Sequence, residues 1–387
     1  GDLRPVQAPL CAAIAAAHAG RVLVVPAASA AEAAVAGSGA VRAAQHLLAV
    51  AAHLQDRKPL PVVPAPTRLA AGIPAGPDLS EVRGQQRGRR VLELAAAGGH
   101  NVLFIGPPGT GKTMLARRLA GLLPPLDPAT ALQVASIASA AGKPFTPDDW
   151  GRRPFRAPHH SASSVALTGG GANPRPGEVT LAHHGVLFLD ELPEFGRAAL
   201  EALRQPLEEG ELTISRAAVQ RTFPARFMLA AAMNPCPCGF LGDPRAHCRC
   251  SADAVQRYRW RISGPLLDRI DLVAEMPRPA PAEMLGPPGE TSARVRERVR
   301  AVREASLQRQ GCLNAGLEGR ALDAHAALDV EGRALLVRSA EKLGLSARAQ
   351  TRVRRVARTI ADAAGAGGIE VRHLAEALSC RGLDRRG

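Results

Sequence analysis

No apolar run in the 387 residues reaches the roughly 18–20 that a membrane-spanning helix requires, so the sequence excludes a helical membrane protein. Neither a secretory signal nor an internal repeat is visible, and the chain opens on Gly1 rather than Met, as a piece of a longer protein would. Lysine is scarce. Only Lys58, Lys112, Lys143 and Lys342 are present, so nearly all of the 49 cationic side chains are arginine. What remains is ordinary for a soluble globular protein: 46% hydrophobic and 22% charged residues, in a length that suits two or three domains. The formal net charge of +14 points to a polyanionic partner, although an Ala/Arg/Gly-rich base composition would also produce it. Residues 291–387 hold 19 Arg/Lys against 11 Asp/Glu, a surplus of eight.

Four of the seven cysteines fall within positions 236–250. That clustering suits a metal site rather than a disulfide framework in a chain of this size, and places the protein in the reducing cytoplasm. Cys236, Cys238, Cys248 and Cys250 form two C-x-C pairs able to close a tetrahedral thiolate site for a structural Zn²⁺. The spacing differs from the commoner C-x-x-C, Pro237 restrains the first pair, and His247 is an alternative ligand. Four reduced surface thiols are the competing reading.

The chain divides by composition. Residues 1–56 read as helix (8–20), strand (21–26) and two further helical patterns, and residues 57–81, carrying six prolines between Pro59 and Pro77, read as a linker. Residues 82–277 alternate apolar strands with helices, the pattern of a parallel α/β sheet. A Pro/Gly-rich hinge follows at 278–290, and 291–387 is helical, at about 291–310, 330–343, 346–364 and 370–379.

Gly106, Pro107, Pro108, Gly109, Thr110, Gly111, Lys112 and Thr113 fit G-x-x-x-x-G-K-[ST], directly after the apolar run 101–105 and before a helix at 114–123. In that context the glycines let backbone N–H groups close around phosphate oxygens at a helix N-terminus. Lys112 then reaches the β/γ-phosphates of ATP and Thr113 ligates Mg²⁺. The run 185–189 delivers Asp190 and Glu191 at a strand's C-terminal end, where α/β sheets place their ligands. Asp190 suits Mg²⁺ and Glu191 the polarisation of the attacking water.

Further stretches resemble the ComM/YifB family of magnesium-chelatase-like AAA+ proteins. They are Gly98-Gly-His-Asn101, Arg153-Pro-Phe-Arg-Ala-Pro-His-His-Ser-Ala-Ser163, Pro176-Gly-Glu-Val-Thr-Leu-Ala-His-His-Gly185, Asn234-Pro-Cys-Pro-Cys-Gly239, Ser263-Gly-Pro-Leu-Leu-Asp-Arg-Ile-Asp271 and Ala357-Arg-Thr-Ile-Ala-Asp362. The resemblance runs from about Val82 to Leu378. It implies a AAA+ P-loop sheet with a helical lid, and roles that spacing alone does not give. Asn234 resembles sensor 1, Arg269 an arginine finger supplied to a neighbouring subunit, and Arg348, opening a lid helix, sensor 2. A finger acting in trans implies a ring, a hexamer. Residues 155–178 correspond to a helix-2 insert and 211–224 to a hairpin before sensor 1. Two β-favourable segments around Ala217-Ala218 support that hairpin independently, without the usual Gly or Asn in the turn. In such a ring the hairpin projects into the central channel, where Arg216 and Arg221 meet DNA phosphates; exposed edge residues are the plainer reading. His159-His160 and His183-His184 lack the i, i+4 spacing of helical ligands and read as loop and packing residues rather than metal ligands.

Residues 4–26 resemble the C-terminal half of a Lon-type protease domain, with Leu10 at the position of the catalytic lysine. This implies a truncated, inactive domain that scaffolds the ring. Two functional classes then compete. One is a branch-migration helicase acting on branched or single-stranded DNA without sequence preference, in the integration of incoming DNA. The other is a chelatase-type remodeller of a protein partner. The basic chain, the arginine-bearing hairpin, the Lon-like segment and the cysteine quartet favour DNA over both the remodeller and a regulator without motor activity.

Overall fold

The computed structural model describes residues 1–37, 39–65, 76–143, 149–170, 175–216 and 219–381, without the side chains of Ser215, Arg216 and Val219. Its centre is a five-stranded parallel sheet. The chain forms β1 (Leu23–Pro26) and β2 (Val41–Ala44) in a small N-terminal pair. It continues through β3 (Val102–Ile105), β4 (Phe155–Arg156), the short antiparallel pair β5 (Gly169–Gly170) and β6 (Arg175–Pro176), and β7 (Val186–Leu189). The hairpin β8 (Glu211–Arg216) and β9 (Val219–Pro224), then β10 (Met228–Met233) and β11 (Leu272–Glu275), complete it. The central order is β11-β3-β10-β7-β4.

β3, β7 and β10 are apolar at every position because both faces of the sheet are covered. Successive side chains alternate between two cores. Val102, Phe104, Val186, Phe188, Ala230 and Ala232 face one core, together with helices Gln86–Gly98, Lys112–Leu122, Ser292–Gln310 and Ala347–Ala363. Leu103, Ile105, Leu187, Leu189, Leu229, Ala231 and Met233 face the other, with residues 167–214 and 258–270. The lid helices thus share a core with the sheet. Within the lid the helices are tied together by Asp362, 4% exposed at its side chain, which accepts from Arg309, Asn314 and Arg358 at 2.7–3.1 Å.

Three local differences from the sequence expectations have physical causes. Residues 41–44 (Val-Arg-Ala-Ala), between helices at Ala27–Ala34 and Leu47–Leu54, form a strand that the sequence reading did not contain, held by parallel pairing with β1. Leu79, inside the stretch read as linker, is 1% exposed and donates its N–H to Ser292 Oγ at 2.7 Å. The proline-rich hinge contains a short helix, Pro281–Leu285, with Pro281 at its first position, where proline lacks nothing a helix needs. Helix Gly319–His325 is an element the sequence reading did not contain.

The N-terminal segment packs on the rest of the chain. Leu10 is fully buried with Val35 and Ala135, and Cys11 donates to the Ser136 carbonyl at 3.3 Å. The hairpin runs antiparallel from Glu211 opposite Pro224 to Arg216 opposite Val219. Its turn at Ala217-Ala218 and the Arg216 side chain lie outside the described residues, whereas Arg221 is exposed.

Candidate nucleotide site and cysteine knuckle

β3, β7 and β10 end side by side, which brings three sequence-distant motifs to one edge of the sheet. After Ile105 the loop must turn tightly: a Cβ at Gly106 would lie 2.2 Å from the Met276 carbonyl oxygen. Gly109 and Gly111 adopt φ 77° and 89°, a region glycine reaches at little cost. Helix Lys112–Leu122 starts immediately, so its first N–H groups open into the loop. Lys112 is 8% exposed; its Nζ donates to Gly106 O (2.6 Å), Pro107 O (2.9 Å) and Asn234 Oδ1 (3.2 Å). Burial pushes its pKa below the ordinary lysine value, against the opposing pull of Asp190 and Glu191. Thr113 Oγ1 donates to Asp190 Oδ2 at 2.7 Å. A hydroxyl and a carboxylate so placed form an oxygen donor set of the kind Mg²⁺ takes beside phosphates.

Glu191 stands one residue beyond in a left-handed conformation, φ 54°, and its N–H donates to Asp190 Oδ1 at 3.0 Å. Its carboxylate meets His160 Nδ1 at 3.1 Å. From sequence, His160 reads only as a loop or packing residue. It is a neighbour of Glu191, and the ring of His159 lies against it at 4.1 Å. His183 is a packing residue: it accepts the Arg226 N–H at 3.0 Å, and burial first, then His184 and Arg226, hold its pKa down at about 4. Two of the family-like stretches clasp one another through Arg156, whose Nε and Nη2 donate to the Glu178 carboxylate at 2.6 and 2.7 Å. Asn101 joins three strands. Its Oδ1 accepts from Leu229 N–H (2.8 Å), its Nδ2 donates to Arg269 O (2.8 Å), and its N–H donates to Asp271 Oδ2 (3.0 Å).

Arg269 and Arg348 lie elsewhere. They line a separate cavity of about 510 Å³ with Glu208, Asp271, Arg352 and Arg355, and no residue of the 106–113 loop reaches it. Arg269 is 8% exposed, paired with Glu208 and donating to the Pro265 carbonyl, while its buried Nε has no partner. A finger expected to project is therefore folded against its own chain. Arg348 is exposed on the cavity wall.

The four cysteines converge despite Pro237. Cys236 Sγ lies 3.4 Å from Cys238 Sγ and 3.7 Å from Cys248 Sγ, Cys238 and Cys248 are 3.6 Å apart, and all four sulfurs lie within 4.8 Å of one another. Tetrahedral Zn–S bonds of about 2.3 Å put sulfurs about 3.8 Å apart, so the spacing suits one metal ion. Backbone N–H groups of Phe240 and Arg249 hold the Cys238 thiol down at about 6. Among the described residues this is the one cluster of potential metal ligands, and His247 is outside it.

Comparison with known proteins matches residues 78–284 to the family described as magnesium chelatase, subunit ChlI, and residues 289–381 to its C-terminal family. The protein YifB of Salmonella typhimurium is 47% identical over 388 residues, with all of this chain and 76% of YifB covered. Competence protein ComM of Haemophilus influenzae is 46% identical over 390 residues, with the same coverage. A shorter match, 28% identical over 135 residues, covers 35% of this chain and 14% of the DNA replication licensing factor Mcm3 of Drosophila melanogaster. With both chelatase regions matched in order around a P-loop sheet and lid, the chain belongs to the magnesium chelatase ChlI-like family of AAA+ proteins that includes YifB and ComM.

Proposed function

We propose that the chain is the ATP-hydrolysing subunit of a homo-oligomeric ring, a hexamer, that moves on DNA as a branch-migration helicase. The observation that carries this is the division of the machinery between two places. Lys112, Thr113, Asp190, Glu191 and Asn234 meet at one sheet edge, while Arg269 and Arg348 share a cavity that the phosphate loop does not enter. Arginines that stabilise a transferring phosphoryl group must touch it. A second copy of the chain supplies that contact when its cavity faces this copy's nucleotide, with Arg269 released from Glu208.

Within the site, the loop N–H groups and Lys112 hold the phosphates. Thr113 and Asp190 hold Mg²⁺, which neutralises phosphate charge when bound. Asn234 orients the attacking water and Glu191 takes its proton. His160 fixes the Glu191 carboxylate. Cys236, Cys238, Cys248 and Cys250 hold a structural Zn²⁺, a closed site of thiolates contributing folding energy. Residues 1–56, with Leu10 buried where a Lon-type lysine would stand, scaffold the ring without proteolysis.

DNA is favoured as the partner by the +14 charge, by Arg221 exposed on a hairpin that leads into β10 and Asn234, and by the partial similarity to a DNA replication licensing factor, Mcm3. The chelatase name of the matched family favours remodelling of a protein partner instead. The two separate on one assay: ATP-driven dissociation of a labelled four-way junction, present with the native chain and lost with Glu191→Gln. A native protein that hydrolyses ATP yet leaves junctions intact would remove the helicase reading and leave the remodeller.

A further inference from the structure

We propose that the cysteine knuckle is a metal-stiffened bracket between the nucleotide loop and the hinge of the lid, so that metal occupancy sets nucleotide affinity. This rests on the reading of the four cysteines as Zn²⁺ ligands.

Between Met233, which ends β10, and Ala252, which starts a helix, the chain has no strand or helix. Turn contacts hold it: Gly239 N–H to Cys236 O (3.0 Å), Asp243 N–H to Phe240 O (3.1 Å) and Arg245 N–H to Asp243 Oδ1 (3.0 Å). A segment with so few internal bonds keeps one shape only if cross-linked.

Two parts of that segment, at Gly239 and at residues 243–245, press on other parts of the molecule. Gly239, at φ 85°, sits so close to the phosphate loop that a Cβ there would be 2.8 Å from Pro108 Cδ and 3.8 Å from Asn234 Cγ. Asp243, whose side chain is fully buried, accepts from Arg278 Nε at 3.0 Å and Nη2 at 2.9 Å, and Arg245 Nη2 donates to Pro279 O at 3.3 Å. Arg278 and Pro279 open the hinge. Three residues earlier Glu275 ends β11, and Met276 donates its N–H to Ile105 O at 2.7 Å beneath the same phosphate loop. One irregular segment therefore contacts Pro108 and Asn234 on one side and the hinge on the other. Four thiolates at one ion are the cross-link that fixes the separation of those contacts. Releasing the ion frees Gly239 from Pro108, and the loop that must wrap the phosphates loses a wall.

The test uses the full chain. Zinc is released with a mercurial and counted. The mercurial is taken off the cysteines with excess dithiol in the presence of chelator and removed with it, and Zn²⁺ is then returned. ADP affinity and far-ultraviolet circular dichroism are measured on the native, the stripped and the reloaded chain. The expected result is one equivalent released, ADP binding weakened about tenfold or more with helical signal retained, and recovery on adding Zn²⁺. Should the stripped chain unfold, Gly239→Ala decides. It keeps all four thiols, and the added methyl pushes on Pro108, so zinc content should stay at one equivalent while ADP affinity falls. One equivalent of zinc with unchanged ADP affinity in Gly239→Ala, and in the stripped chain where it stays folded, overturns the bracket and leaves the zinc reading standing. Less than about a tenth of an equivalent in protein purified without chelator overturns both.

Discussion

Replacing His160 by alanine tests whether Glu191, the proposed base of the hydrolytic step, is positioned by a partner 31 positions away in the chain. The contact is a single one, His160 Nδ1 to Glu191 Oε2 at 3.1 Å, with side-chain exposures of 35% and 52%. Glu191 itself stands at φ 54°, a conformation that costs a non-glycine residue about 1–3 kcal/mol, so its orientation is not the one the backbone would choose freely. An exposed pair contributes at most about 1 kcal/mol, a factor of about five in rate if all of it is spent on orienting the carboxylate. A hydrogen bond to a charged group shielded from water contributes about 1.5–3 kcal/mol, a factor of about 10–100. Nucleotide and a neighbouring subunit cover this site in the proposed ring, so the expected fall in kcat is about 5- to 100-fold. KM should stay near native, because the described partners of His160 are Glu191 and His159 rather than the phosphate loop. Glu191→Gln sets the floor, since a general base contributes about 10²–10⁴. Steady-state ATP turnover and separate nucleotide-binding measurements give both parameters. A His160→Ala protein with kcat within twofold of native, or above it, refutes the positioning role.

Three other expectations follow from the same geometry. Arg269→Ala and Lys112→Ala subunits should each be inactive alone, the second for want of nucleotide binding, and should regain part of the ATP turnover when co-assembled; no recovery in rings shown to be mixed contradicts a finger acting in trans. Arg216→Ala with Arg221→Ala should leave basal turnover near native, weaken binding to junctions of any sequence, and flatten the log–log salt slope by roughly 0.9 per lost phosphate contact. Unchanged affinity would move the DNA path off the hairpin, and the lid arginines are poor substitutes, because Arg352, Arg354 and Arg355 pair with Asp271, Asp323 and Glu318. Asp362→Ala should destabilise the fold by about 3–5 kcal/mol, as it strands two guanidinium groups at a buried junction. Burial alone would raise the Asp362 pKa, but Arg309, Asn314 and Arg358 more than reverse it, so the native value lies below 3.8. Its contribution is therefore complete above about pH 4 and is lost as pH falls through the native value; acid unfolding of native and Asp362→Asn proteins should converge there.

What the sequence made legible was local. The phosphate loop and the Asp190-Glu191 pair are short motifs at strand ends, and adjacency in the chain carries their chemistry. The pairing of sheet strands had no such signal: Val41–Ala44 goes unread between two helical patterns because its parallel partner is not visible in the sequence. His160 was missed as a neighbour of Glu191 for the same reason, since only the alignment of β4 beside β7 brings the two together. Asn101 stood in a recognisable stretch, yet its task of tying three strands needed the sheet order. Arg269 shows the reverse: its motif was plain, and the structure adds that Glu208 holds it inward.

A DNA-directed motor is tested by ATP turnover of the assembled protein with no DNA, with duplex and with four-way junctions. Turnover should rise with DNA, most with junctions, and be abolished by Lys112→Ala under every condition. Turnover indifferent to both kinds of DNA at low salt would contradict it.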